Sequence, residues 1–114
     1  MSKFKNDNLK NWVLTEAEGE AVEGIVIGEM GWGDYLSEDI PNYEDIPKGK
    51  LLTWDEGSKL IDYDFDSGYG APGCQAIYVW TESKVMFISQ YDGATCIHSI
   101  PRNPCDVKPE MPGG

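Results

Sequence analysis

The stretch Ala76-Ile77-Tyr78-Val79-Trp80-Thr81-Glu82-Ser83-Lys84-Val85-Met86-Phe87-Ile88-Ser89-Gln90-Tyr91-Asp92-Gly93-Ala94-Thr95-Cys96-Ile97-His98-Ser99-Ile100 decides the fold. It holds three short runs, 76–81, 85–90 and 95–100, rich in β-branched and aromatic residues. Such side chains fit a pleated, half-buried surface, whereas helices of this length would need a 3.6-residue apolar period. Glu82-Ser83-Lys84 separates the first two runs, and Tyr91-Asp92-Gly93-Ala94 the second and third. Asp-Gly supplies the positive φ that hairpin turns demand. The three runs are expected to pair in order as an antiparallel meander. Pro101 and Pro104 end it, and the tail 106–114 is expected to be loosely held.

Working back towards the N-terminus, residues 66–73 carry three Gly and a Pro and read as a loop. Before them, Thr53-Trp54-Asp55-Glu56 is a capping box: the Thr hydroxyl accepts from the amide of Glu56, whose carboxylate reaches back to the amide of Thr53. A helix of two to three turns should follow, with Trp54, Leu60 and Ile61 inward and Gly57 weakening it. Glu38-Asp39-Ile40-Pro41 is echoed by Glu44-Asp45-Ile46-Pro47. Proline disfavours helix in the residue before it, so this is an extended acidic loop, pinned by Ile40, Tyr43 and Ile46. Gly31-Trp32-Gly33-Asp34-Tyr35 reads as a loop bearing two aromatics, and 21–30 as a strand around Ile25-Val26-Ile27. Residues 16–20 form an acidic turn, Trp12-Val13-Leu14 begins a first strand at 10–15, and 1–10, with Lys3, Lys5 and Lys10, is a flexible basic arm. The fold class is therefore α+β: a small antiparallel sheet of four to six strands, one short helix and long acidic loops, in a single domain over 11–105.

Charge narrows the function. The chain has 114 residues, 20 acids against 9 bases, and a net charge of −11. Direct binding to nucleic acid is disfavoured, because it needs Lys and Arg to displace counterions; an anionic membrane is disfavoured for the same reason. A basic protein partner is favoured, since opposite fields steer encounter. The excess is not spread evenly. Between Glu16 and Asp66 there are fifteen acids against Lys48, Lys50 and Lys59, a local charge of −12, while the meander carries few charges. Trp32, Tyr35, Tyr43, Trp54 and Tyr63 are interleaved with those acids.

Acids mixed with aromatics can imitate nucleic acid, with carboxylates standing for phosphates and rings supplying apolar anchors. The expected contact surface is Glu38, Asp39, Glu44, Asp45, Asp62, Asp64 and Asp66, with Trp32 and Tyr43 as anchors. In overall character this resembles the small acidic phage inhibitors of restriction or CRISPR systems, although no motif in the chain identifies a family. The resemblance implies a non-enzymatic inhibitor that blocks a basic, nucleic-acid-handling partner. An immunity-type protein that neutralises a basic toxin is the nearest alternative. A subunit whose acids only confer solubility is another.

A small metal protein or Cys/His-dependent enzyme is the remaining alternative. Asp62, Asp64 and Asp66 alternate with Tyr63 and Phe65, which puts three carboxylates on one side of an extended chain. Calcium loops open with Asp-x-Asp-x-Asp, but here Ser67 stands where the loop Gly belongs and Gly73 where the last Glu belongs. Cys74, Cys96, His98 and Cys105 number the four ligands of a tetrahedral zinc, yet no Cys-x-x-Cys is present. Cys96 and His98 would lie on the same side of one strand, and with one His in the chain only His98 could be the base of a Cys–His nucleophile. No metal, cofactor or catalytic residue is expected. The terminal Gly113-Gly114 resembles the tail of ubiquitin-like carriers over two residues alone. An odd number of cysteines, a start without the apolar stretch of a signal peptide and no apolar run of membrane-spanning length lead to an expected cytoplasmic location with free thiols.

Overall fold

The computed structural model describes residues 7–30, 40, 42–67, 73–91 and 94–111. The expected meander is its backbone. Strands β5 (Gln75–Thr81), β6 (Lys84–Tyr91) and β7 (Ala94–Pro101) pair antiparallel in chain order. The next strand inward is β2 (Val22–Met30), antiparallel to β5, and the short β3 (Leu51–Leu52) closes the far edge. The sheet order is β3-β2-β5-β6-β7. Two further two-residue strands, β1 (Asp7–Asn8) and β4 (Asp64–Phe65), form a separate antiparallel ribbon.

The chain starts differently from the expectation. Residues 9–17, read as the end of the arm, a first strand and the start of an acidic turn, form helix α1 (Leu9–Ala17), and Asp7–Asn8, inside the expected arm, are paired in β1. The Asn8 side chain caps α1, accepting from the Asn11 amide at 3.0 Å. Two further amides of its first turn are satisfied from outside the helix: Leu9 donates to the Tyr63 carbonyl and Lys10 to that of Ile61, each at 3.1 Å. Leu9, Val13 and Ala17, four residues apart, turn a buried stripe to the core. The helix ends where Glu18 and Gly19 take left-handed φ values of 52° and 90°. Tertiary contacts thus override the β preference of Trp12-Val13-Leu14.

Helix α2 (Trp54–Leu60) follows the capping box as expected, with both reciprocal bonds formed. Gly57 is more than a weak point. A β-carbon there would lie 2.3 Å from Cγ2 of Ile25, so the absent side chain is what lets α2 lie on β2. The acidic loop is pinned as the spacing implies: Ile40, Tyr43 and Ile46 are all buried, with a turn of 3-10 helix at Tyr43–Asp45.

Both helices pack against strands of the main sheet, α2 on β2 and α1 on β6 and β7. The core comprises Ile25 and Ile27 of β2, Ile77 and Val79 of β5 and Met86 of β6, together with Leu9, Val13, Ile61 and Phe65. One buried polar network belongs to it. The Gln75 amide donates to the Tyr63 hydroxyl at 3.0 Å, that hydroxyl donates to Gln75 Oε1 at 3.2 Å, and Gln75 Nε2 donates to the Gly28 carbonyl at 3.0 Å. It sits where the β2–β5 register shifts between Ile27 and Met30.

Candidate functional site

Among the described residues, the acids of the −12 segment divide into two groups. Several tie the helical layer to the meander. The Ser99 hydroxyl donates to Glu16 at 2.7 Å, and Lys84 Nζ donates at 2.7 Å both to the Glu16 carbonyl and to the Glu18 carboxylate. A lysine at this point also suits the negative end of α1. The Ser83 hydroxyl donates to Glu20 at 2.6 Å, and Arg102 donates to Glu23 and to the Thr81 carbonyl. Glu29 accepts from the Tyr43 hydroxyl at 3.0 Å, and Glu56 serves the cap. These carboxylates are struts.

The second group faces solvent. Glu44 and Asp45 are exposed in the 3-10 turn, and Asp55 is exposed in the first turn of α2. None of the three carboxylates has a hydrogen-bond or ion-pair partner among the described residues. Asp55 was not singled out in the sequence, although its place after the Thr53 cap marks it as outward. Asp62 and Asp64 are exposed while Tyr63 and Phe65 are buried, so the expected alternation holds. Both carboxylates accept from Nδ2 of Asn8, at 3.1 and 3.0 Å. Asp66 is half-buried. Glu38, Asp39 and Trp32 lie outside the described residues.

The expectation for Tyr43 needs correcting. It is only 6% exposed and belongs to this chain's own core, with its hydroxyl on Glu29 and the Lys48 ammonium 4.0 Å from its ring centroid. Tyr63 is buried as well, and Trp54 is half-buried against the core. An aromatic body with a polar tip gains most by burying the ring and bonding the tip, and Tyr43 and Tyr63 find those partners inside. They are not presented as anchors.

Among the described residues, the most exposed aromatic, Tyr78, lies elsewhere, on the outer face of the sheet, opposite the core. Two cross-strand rows follow from the register: Leu51, Val26, Tyr78, Phe87 and His98, and beside them Gly24, Trp80, Val85 and Ile100. Leu51 is 67% exposed, Tyr78 58% and Ile100 55%. Tyr78 and Trp80 meet edge to face at 6.5 Å, and His98 stacks on Phe87 at 5.8 Å. Antiparallel sheets with one solvated face ordinarily alternate apolar-in with polar-out; this one is apolar on both faces.

Cys74, Cys96, His98 and Cys105 do not converge. Cys74 is buried just before β5, Cys96 and His98 share the outer face of β7, and Cys105 is exposed beyond it. Among the described residues no group of three or more His, Cys, Asp or Glu is arranged to hold a metal. All three thiols are unpaired, and burial pushes that of Cys74 up to about 12. No helix of the described residues is long and apolar enough to cross a membrane. Compared with protein families, curated proteins and solved structures, the chain matches none.

Proposed function

We propose that this protein is a non-enzymatic, cytoplasmic binding protein that occupies the basic surface of a nucleic-acid-handling partner and blocks it, in the manner of nucleic-acid-mimic inhibitors of the anti-restriction or anti-CRISPR kind. The observation that carries the proposal is the group of outward carboxylates Glu44, Asp45, Asp55, Asp62 and Asp64, held on short ordered elements in a chain of net charge −11. Carboxylates on an ordered scaffold lose little entropy when cations pair with them, and their field speeds encounter with a basic surface. The acids that act as struts are not part of this surface, which makes it smaller than the acid count implies.

The test is affinity capture from a lysate at low and high salt, followed by surface kinetics against the captured protein. Binding should weaken as salt rises, because the Debye length shrinks to about 10 Å at 0.1 M. Reversing Glu44 and Asp45 to Lys should slow association several-fold with little change in dissociation. Affinity and salt dependence that survive this reversal together with Asp55→Lys would refute the proposal. Capture of a basic toxin would move the protein to the immunity class without changing the surface.

A further inference from the structure

The outer face of the sheet calls for a cover. A strand that is apolar at both parities normally belongs to a sheet buried on both sides, and this sheet has helices on one. The outward positions of β5 to β7 include no Asp, Glu, Lys or Arg: β5 presents Ala76, Tyr78 and Trp80, β6 Val85, Phe87 and Ser89, β7 Cys96, His98 and Ile100, and the exposed acids Glu23 and Glu29 lie on the neighbouring β2. His98 Nε2 lies buried on this face with no hydrogen-bond partner among the described residues, a state that costs free energy until a partner is supplied.

The geometry points to a second copy of this chain as the cover, docked face to face over Tyr78, Trp80, Phe87 and Ile100 as a two-fold sandwich. Charge selects that occupant. A basic partner gains nothing electrostatic from an uncharged face and is drawn to the carboxylates instead. Two copies at −11 each repel through most of their surface, and this face is where they approach with least repulsion. A two-fold contact needs a self-complementary patch, and an uncharged apolar surface has no like charges to oppose. The facing copy also brings the Tyr78 and Ser89 hydroxyls to a surface that holds an unsatisfied imidazole nitrogen. Size sets the strength. Four long strands about 4.8 Å apart and some eight residues long at about 3.3 Å each give roughly 500 Å² a copy. The total of about 1,000 Å² is at the lower limit for a specific interface, so a micromolar dimer is expected.

The test is sedimentation of the whole chain from about 10 to about 500 µM at low and high salt. The weight-average mass should climb from 12.7 kDa towards twice that value. The climb should be steeper in high salt, because screening relieves the repulsion between copies. That is opposite to the salt dependence of partner capture, so the dimer and the acidic surface can each fail without the other. Tyr78→Lys and Ile100→Lys, both at exposed positions, should each raise the dissociation constant at least about tenfold, with folding checked by circular dichroism. Leu14→Lys, at an exposed site on α1, should leave it unchanged. In the unaltered protein, alkylation of Cys96 should slow with concentration while that of Cys105 does not. A monomeric mass throughout the range in high salt, a dimer indifferent to both lysine variants, or a Cys96 rate independent of concentration would each overturn the proposal.

Discussion

The two faces of the sheet are built from the same kinds of residue and have different fates. Along β5, Ile77 and Val79 point inward and are buried, while Tyr78 between them points out and is more than half exposed. Composition does not separate the faces; position relative to α1 and α2 does. The difference teaches that an apolar residue stabilises this fold in proportion to what covers it, and that the outer face is matched to something beyond a single chain.

The largest expected effect tests that contrast directly. Ile77→Ala should destabilise the protein by about 2–5 kcal/mol through lost burial and a residual cavity, whereas Tyr78→Ala should cost well under 1 kcal/mol in dilute monomer. Urea unfolding of the two variants reads both, and equal losses would erase the distinction between faces. Next comes Gly57→Ala on the covered side. Alanine favours the helix by about 1 kcal/mol, but its β-carbon meets Ile25, which is fully buried in β2 and has no room to move; a net loss of about 1–2 kcal/mol is expected. Stabilisation instead would mean that α2 lifts off β2 at little cost. Thr53→Ala removes the cap of the same helix and should cost about 1 kcal/mol, seen as a lower urea midpoint with unchanged slope.

The smallest effect near neutrality concerns the thiols. Cys74 is raised by burial from 9.0 to about 12 in the folded state, so the unfolded chain loses its proton first as pH rises. Stability should be unaffected below about pH 9 and fall between about pH 9 and 12, with the Tyr63 phenol, also raised by burial, adding to the fall. Native thiol titration should find Cys96 and Cys105 rapidly and Cys74 only on unfolding. Rapid reaction of all three in the native state would show that the covered face opens.

How much was legible in the sequence follows from where the information lies. The meander was readable because its turns and apolar runs are local, and the α2 cap because both its bonds join Thr53 to Glu56. Ile40, Tyr43 and Ile46 were readable as pins by their spacing. Helix α1 was not, because Asn11 rather than Glu or Gln stands three residues after its cap, and its first-turn amides are satisfied by carbonyls of Ile61 and Tyr63, more than fifty residues away in sequence. The two-residue strands carry too few residues for any period. On the acidic surface, Glu44 and Asp45 stand exposed, as a contact surface requires, but the strut acids find partners as distant as Ser99 for Glu16, a pairing that no local pattern reveals. Tyr43 was misread as an anchor for the same reason, since its partner Glu29 lies on a different element.

The buried Gln75 has a consequence for how the chain chooses among alternative pairings. A strand with one apolar and one polar face announces its own alignment, because a slip of one residue exposes what should be buried. Strand β5 lacks that safeguard: slipped by one, it would offer Ala76, Tyr78 and Trp80 to the core and hardly change its apolar content. Gln75 supplies the missing information, because its bonds to Tyr63 and to the Gly28 carbonyl exist in one alignment only. Gln75→Leu should therefore be felt less as lost strength than as lost uniqueness, with a second set of amide resonances appearing along β2 and β5. In this sheet one polar side chain at a strand end acts as the address that tells two greasy strands where to stop.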